Sequence, residues 1–229
     1  MKKRSRRYKQ IKEVFLDQKY SVNKAIEILK KNTSSNFNES LEAHASLNID
    51  PKYADQQLRS TLILPEGTGQ SKRIAVIVDN DEREQATNAG ADVIGSEDLI
   101  ETISKGSIEF EILITTPKMM PKLAKLGKVL GPKGLMPSPK TGTITMNLKE
   151  TIEEFKKGKI EYRADKNGNV HIMFGKVQFS IESLLTNLKS VFNSIEKNRP
   201  PGVKGRYIKS FSICTTMSPS VLLDLETLR

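Results

Sequence analysis

The middle of this chain restricts its possible folds more than any other part, because short apolar runs alternate there with helical patterns. Strands are predicted at Arg73–Val78, Asp92–Ile94 and Phe110–Thr115, and helices at Glu82–Ala89, Glu97–Ser104 and Lys118–Leu130. A strand at Ile144–Leu148 and a helix at Glu150–Lys157 follow. Such alternation is typical of parallel strands joined by right-handed helical crossovers. We therefore predict a three-layer, Rossmann-like α/β domain.

The segments on either side of this region follow a different pattern. The N-terminal segment is predicted to hold two amphipathic helices, the second capped by Ser21, and strands at Leu41–Leu47 and Arg59–Leu64. The C-terminal segment is predicted to hold a hairpin of Ile160–Ala164 and Val170–Phe174 around an Asn-Gly turn, a long helix after Ser180, and a last strand at Tyr207–Thr215.

Neither flanking segment has enough strands to be stable alone. We therefore predict that residues 1–67 and 159–229 fold together as one discontinuous α+β domain, and that residues 68–158 form the inserted α/β domain. The glycines at 67, 69 and 158 mark the two links, which would act together as a hinge.

A glycine- and proline-rich stretch, GKVLGPKGLMPSPKTGT, occupies Gly127–Thr143. Proline lacks a backbone donor and glycine resists ordering, so irregular backbone is predicted here. From Lys118 through Lys140 the chain has six lysines and no carboxylate. A solvated connection is the simplest interpretation, but the length and charge of the stretch favour a cationic functional loop.

The whole chain is basic, with 37 Lys and Arg against 27 Asp and Glu and a formal charge of +10. Seven of the first twelve residues are basic. Such an excess favours a polyanionic partner, with nucleic acid first and an acidic membrane surface second. No apolar run reaches the roughly 20 residues that cross a bilayer, and no secretory signal pattern follows the basic start.

Cysteine and histidine are scarce, which argues against metal and redox chemistry. A single cysteine, Cys214, cannot form an internal disulfide, and two histidines do not supply the usual zinc spacings. We interpret Cys214 as a small core residue and His44 and His171 as structural residues on strands. No cofactor and no catalytic residues are predicted.

The stretch GPKGLMPSPKTGT resembles the signature of the large-subunit ribosomal protein one (L-one) family, bacterial or plastid type. The segments KYSVNKAIEILK, SLNIDPKYADQQLR, LPEGTG and RYIKSFSICTTMSPS extend the resemblance from end to end. It implies the same inserted-domain fold and a non-enzymatic role as a monomer within the large ribosomal subunit, in plastid stroma (chloroplast) or bacterial cytoplasm. It also implies binding of the ribosomal RNA side stalk, assistance to exit-site tRNA, and possible repression of translation through its own mRNA.

The resemblance also implies which residues bind RNA. The candidates are Asn36, Phe37, Ser40, Lys166, Asn167, Gly168, His171, Thr216, Met217 and Ser218, with Lys128, Lys133 and Lys140 on a loop that faces tRNA. Two of these depart from the family pattern, which usually has lysine in place of Asn36 and glycine in place of Ser218. Small polar side chains with one or two aromatics suit RNA, which is recognised through backbone shape, 2′-hydroxyls and stacking on unpaired bases.

Two alternative functions come from other classes. A nucleotide-binding α/β enzyme would use the inserted domain, but the turn after Val78 is Asp79-Asn80-Asp81, which presents carboxylates where a phosphate needs glycine and backbone donors. A nonspecific basic binder would have equal affinity for any duplex.

Overall fold

The structure is a computed structural model that describes residues 5–15, 18–33 and 35–228, without the side chains of Val14 and Asn80. The chain divides into two compact units. The first comprises Met1–Gly69 with Ile160–Arg229, and the second comprises Gln70–Lys159. Across the described ranges, no helix combines the length and the apolar character needed to cross a membrane.

Helices and strands are mixed along the chain. The helices are α1 Arg6–Val14, α2 Val22–Lys31, α3 Arg83–Asn88, α4 Glu97–Ser104, α5 Met120–Ala124, α6 Gly127–Leu130, α7 Leu148–Lys156 and α8 Ile181–Lys197. The strands are β1 Ser40–Leu47, β2 Arg59–Ile63, β3 Ile74–Ile77, β4 Val93–Gly95, β5 Ile112–Thr115, β6 Lys159–Arg163, β7 Asn169–Lys176, β8 Ile208–Thr215 and β9 Val221–Leu222.

The first unit is built on a four-stranded sheet in the order β7-β1-β8-β9, with antiparallel pairing between neighbours. Alternate residues of β1 are buried, from Leu41 to Leu47, as the period of two predicts. The apolar stripes of α2 and α8 are buried in the same hydrophobic cluster as these strand residues. One face of the sheet therefore packs into the core of this unit, and the other face carries mostly polar side chains.

The predicted pairing of β6 with β7 in a hairpin is wrong. β6 pairs with β2 in a separate two-stranded sheet, β7 pairs with β1, and only a single bridge between Ala164 and Val170 joins the two strands. The turn is closed by two backbone hydrogen bonds and by the carboxylate of Asp165, whose Oδ1 accepts from the amides of Asn167 at 2.9 Å and Asn169 at 2.7 Å. Of the Asn-Gly pair, Gly168 alone has a positive φ, of 77°.

The second unit contains a parallel three-stranded sheet in the order β4-β3-β5. Side chains of β3 pack alternately into two clusters. Ala75 and Ile77 belong to the cluster that includes residues of α4, α5 and α6, while Ile74 and Val76 belong to the cluster that includes α3 and α7. Helices thus cover both faces of the sheet, in the three layers that the strand and helix alternation predicts.

Two predicted elements of the second unit differ from the structure. Ile144 forms one bridge with Thr115 rather than a strand, because the hydroxyl of Thr145 accepts from the amide of Asn147 and turns the chain into α7. The helix predicted at Lys118–Leu130 is divided into a 3₁₀ turn, α5 and α6. The division falls just before Gly127, a residue that destabilises a helix interior.

One strand, β9, was missed by sequence analysis. It has only two residues, which are too few to show an alternating pattern in the sequence. The strand is recognised by its pairing with β8. The first four residues of the glycine- and proline-rich stretch, before Gly131, are also helical, as α6, although irregular backbone was predicted there.

Candidate nucleic-acid interface

The face of the β7-β1-β8 sheet turned away from the core is polar, and we call it the polar sheet face. It consists of Glu42, His44 and Ser46 on β1, Asn169, His171 and Met173 on β7, and Ser210, Ser212 and Cys214 on β8. All nine side chains are half-buried or exposed. The antiparallel registers align them in rows across the strands, so that His44 lies opposite both His171 and Ser212.

Cys214 belongs to this polar face, and its assignment to the core is wrong. In the second half of β8, Phe211, Ile213 and Thr215 are buried, so Cys214, between the last two, points to the other side. The Sγ atom of Cys214 is 3.1 Å from Nε2 of His44. Burial raises the pKa of the Cys214 thiol to about 11.

Five of the predicted RNA-binding residues lie at one end of this sheet, which we call the first rim. They are Phe37, Ser40, Thr216, Met217 and Ser218. The amide of Ser40 donates to the hydroxyl of Thr216 at 3.1 Å, and the amide of Thr216 donates to the carbonyl of Ser40 at 3.1 Å. Lys176 donates from Nζ to the hydroxyl of Ser40 at 2.8 Å. The rim thus has fixed hydroxyl groups beside a lysine.

Two large apolar side chains of the first rim are exposed. Phe37 is 54% exposed and Met217 is 45% exposed. A binding partner could bury both side chains. An aromatic ring such as that of Phe37 can stack on an unpaired base. Asn36, next to Phe37, is also exposed.

The Ser218 side chain forms its hydrogen bonds inside the turn after β8. Its hydroxyl accepts from the amide of Thr215 at 3.0 Å and donates to the carbonyl of Pro219 at 3.0 Å. The side chain is half-buried. A serine is therefore accommodated without an outward-directed hydroxyl.

Glu39 supports the first rim from below, and sequence analysis did not identify it. Its side chain is 2% exposed, and Oε2 accepts from the amide of Met217 at 3.2 Å. Burial acts to raise the pKa of Glu39, but the hydrogen bond from the Met217 amide, the nearby hydroxyls of Ser35 and Thr215 and the charge of Arg7 outweigh it and lower the pKa. Its sequence neighbours are polar, so no local pattern signals a buried acid.

Three further candidates, Lys166, Asn167 and Gly168, lie toward the opposite end of the sheet, in the turn between β6 and β7. Lys166 and Asn167 are exposed at this second rim, while Gly168 is buried beneath them. A Cβ on Gly168 would come within 3.0 Å of the carbonyl oxygen of Ile49, so glycine permits the close backbone approach. Hydrogen bonds from Asn169 and Asn167 lower the pKa of Asp165 and keep the turn closed by a carboxylate.

The predicted RNA-binding residues therefore form a strip rather than one cluster. Ser40 and Ser46 at the two ends of β1 are about 20 Å apart, from a rise of about 3.4 Å per residue. His171 lies between the rims, with Nδ1 2.8 Å from Nδ1 of His44. Burial and the nearby His171 lower the pKa of His44, which favours the neutral form of its ring.

The cationic loop of the second unit is ordered by its own hydroxyl groups. The amide of Ser138 donates to the hydroxyl of Thr143 at 2.9 Å, and the hydroxyl of Thr141 donates to the carbonyl of Ser138 at 2.9 Å. Lys128, Lys133 and Lys140 are exposed, and none of them forms a salt bridge within the described part of the chain.

Two other lysines of this region form ion pairs with glutamates. Lys118 is 3.8 Å from a carboxylate oxygen of Glu82, and Lys122 is 2.7 Å from one of Glu97. Among the described residues, the lysines of this region without a salt bridge therefore begin at Lys125, farther along the chain.

The carboxyl end of β3 is unsuited to a nucleotide phosphate. The chain passes from Asp79 into a 3₁₀ turn, Asn80–Glu82, and Glu82 occupies the N-cap of α3. Carboxylates at this position repel a phosphate rather than bind it.

The chain resembles known proteins over most of its length. The model of the Ribosomal protein L1p/L10e family matches residues 29–219. The chain is 58% identical over 229 residues to "Large ribosomal subunit protein uL1c" of Rhodomonas salina, a match that covers 100% of this chain and 98% of that protein. It is 57% identical over 227 residues to the protein of the same name from Phaeodactylum tricornutum, covering 99% of each.

A bacterial relative is nearly as similar. "Large ribosomal subunit protein uL1" of Rippkaea orientalis is 53% identical over 229 residues, covering 100% of this chain and 96% of that protein. These proteins are ribosomal components rather than enzymes. Since the family model and the relatives match nearly the whole length, the chain belongs to the Ribosomal protein L1p/L10e family.

Proposed function

We propose that this protein binds the side-stalk region of the large ribosomal RNA next to the exit site, through the polar sheet face and its two rims. It is a structural component of the large ribosomal subunit, in a plastid or a bacterial cytoplasm, and one copy works in each particle. The observation that carries this proposal is the first rim, where exposed Phe37 and Met217 flank hydroxyl groups fixed by backbone hydrogen bonds.

This rim has the properties that structured RNA requires. Its hydroxyls are held in place before binding, so little side-chain entropy is lost. Its exposed aromatic ring is available for stacking, and Lys176 and Lys166 place positive charge near either rim. A surface that binds RNA through positive charge alone would need none of these fixed neutral groups.

We further propose that the chain consists of two domains, residues 1–67 with 159–229 and residues 68–158. Two compact units whose boundaries fall after Gly69 and Lys159 support this division. The second domain presents Lys128, Lys133 and Lys140 toward deacylated tRNA and assists its release. Repression of its own mRNA would use the same surface as the stalk, on a mimic of that RNA.

A salt titration against a stalk RNA fragment and a perfect RNA duplex of equal length tests the RNA-binding proposal. We expect a preference for the stalk of more than about tenfold, or roughly 1.4 kcal/mol, that persists as salt rises. Thr216→Ala should reduce this preference because it removes the hydroxyl that accepts from Ser40. Thr186→Ala, an exposed change on α8, is the matched control.

A different result would support the nonspecific alternative. If the stalk and the duplex bind equally, and both affinities collapse together with salt, charge alone accounts for binding. The proposed site would then be wrong. Equal losses in Thr216→Ala and Thr186→Ala would lead to the same conclusion, since the control lies on a helix that packs against the core face of the sheet.

A further inference from the structure

Three side chains with metal-binding atoms meet on the polar sheet face. Glu42, His44 and Cys214 each offer one ligand atom, and all these atoms lie within 4.8 Å of one another. The Nε2 atom of His44 is 3.1 Å from the Sγ of Cys214 and 3.9 Å from Oε2 of Glu42. All three belong to the polar sheet face, but none of them is among the candidate RNA-binding residues.

The strand register brings the three residues together. Glu42 lies directly opposite Cys214 in the β1–β8 pair, and His44 is two residues farther along the same face of β1. β1 is hydrogen-bonded to β7 on one side and to β8 on the other. The ligand positions therefore rest on a central strand, which holds them more precisely than a loop would.

The spacing matches what a zinc ion requires. Bond lengths of about 2.3 Å to sulfur and about 2.0–2.2 Å to nitrogen and oxygen place neighbouring ligands of a tetrahedral site about 3.4–3.6 Å apart. The two separations from His44 Nε2, 3.1 Å to Cys214 Sγ and 3.9 Å to Glu42 Oε2, lie on either side of this range. Side-chain shifts of less than about 1 Å would close the three ligands around an ion.

A second histidine orients the first. Nδ1 of His44 is 2.8 Å from Nδ1 of His171, and Nε2 of His171 is 3.8 Å from Oδ2 of Asp165. If His44 donates its Nδ1 proton to His171, the lone pair of His44 Nε2 remains free and directed at Cys214. A partner on the outer nitrogen is the usual support of a metal-bound histidine.

We infer that Glu42 Oε2, His44 Nε2 and Cys214 Sγ form a binding site for a divalent ion of the zinc class, with a fourth position open to solvent. Mixed oxygen, nitrogen and thiolate ligands select zinc and related transition metals over magnesium or calcium. On binding, the S–H bond of Cys214 breaks, sulfur bonds to the metal, and the proton passes to solvent. The bound ion would join β1 to β8 across the polar face.

Titration of the reduced full-length protein with Co²⁺ alone tests this site. We expect saturation at one ion per chain, with a thiolate-to-cobalt charge-transfer band in the near ultraviolet and the visible bands of tetrahedral cobalt. Zn²⁺ should displace the cobalt and remove both signals. The titration contains no RNA, so its outcome is independent of stalk binding.

Variants identify the ligands. Cys214→Ser should remove the charge-transfer band, and His44→Gln or Glu42→Gln should weaken Co²⁺ binding more than about tenfold. His171→Gln should keep the band but weaken binding about tenfold, because it acts through His44. Ser212→Ala changes a neighbour on the same face that supplies no ligand, and it should bind as the unchanged protein does.

The inference is wrong if the unchanged protein gives no charge-transfer band at saturation, or if Cys214→Ser retains the band. It is also wrong if Ser212→Ala weakens binding as much as His44→Gln does. Thermal unfolding of each variant identifies any that fail to fold. Where Cys214→Ser does not fold, His44→Gln and Glu42→Gln decide the result, since their side chains are on the solvent side of the sheet.

Discussion

The first rim and the cationic loop are both candidates for contact with RNA, yet they are built in opposite ways. The rim has neutral hydroxyls tied to the backbone, a buried acid beneath them and two exposed apolar side chains. The loop presents lysines that have no salt bridge in the described part of the chain. Fixed neutral groups recognise shape, whereas exposed charges mainly neutralise phosphate, so the rim should supply specificity and the loop salt-dependent affinity.

The largest expected loss of RNA affinity comes from a substitution in the first rim. Phe37→Ala removes an exposed ring, and loss of one stacked base costs about 1–3 kcal/mol, or roughly 5- to 150-fold in affinity for the stalk fragment. The loss should be nearly independent of salt, as measured by fluorescence anisotropy at low and high salt. Met146→Ala, which removes a 74% exposed side chain from the second unit, is the control. An equal loss in that control would show that the rim has no special role.

Removing charge from the loop should have a smaller effect of another kind. Lys128→Ala, Lys133→Ala and Lys140→Ala combined should lower tRNA affinity about tenfold at moderate salt and reduce the salt slope by about two units. Stalk affinity should stay the same. The matched control is Lys118→Ala with Lys122→Ala, because these two lysines are already paired with Glu82 and Glu97. Comparable losses of tRNA affinity in the two variants would contradict the assignment to the loop.

Glu39 tests whether the rim depends on its buried carboxylate. Glu39→Gln should lower the free energy of unfolding by about 1 kcal/mol at neutral pH, since it weakens the hydrogen bond from the Met217 amide. The pKa of Glu39 is lowered in the folded protein, so this stabilisation is fully present above the ordinary value of 4.5 and is lost as the pH falls below it.

Denaturant unfolding of both proteins across this pH range measures the difference. The difference in free energy of unfolding between the two proteins should become smaller as the pH falls. Glu182→Gln, an exposed acid in the first turn of α8, provides a control for loss of a carboxylate at the surface. A gap that stays constant with pH would mean that ionisation of Glu39 does not stabilise the rim.

The smallest expected effect adds charge to the rim. Asn36→Lys adds a lysine at an exposed position beside Phe37. One new phosphate contact should raise the salt slope for stalk binding by about one unit without changing the preference for stalk over duplex. Asn193→Lys, an exposed change on α8, controls for net charge. Equal slopes in the two variants would place Asn36 outside the interface.

Local pattern was sufficient for most elements of the fold. The stripe of Val22, Ala25, Ile26 and Leu29 is buried along α2, the long helix after Ser180 begins with that residue's hydroxyl as its cap, and β1 alternates as expected. These features depend on neighbours within four residues, so periodicity and capping chemistry reveal them. The continuous helix predicted through Gly127 was wrong because glycine destabilises a helix interior. The hairpin pairing was wrong because β7 pairs with the distant strand β1 instead.

The sequence by itself determined the family, the basic charge, the order of most strands and helices, and which residues of β1 face the core. Only the tertiary structure decided the partners of those residues. It buries Glu39 beneath Met217, places the RNA-binding candidates at two ends of one sheet, and brings Cys214 to His44 across 170 positions of sequence. A period of two assigns a side chain to a face, but the register between distant strands decides which side chains meet on it.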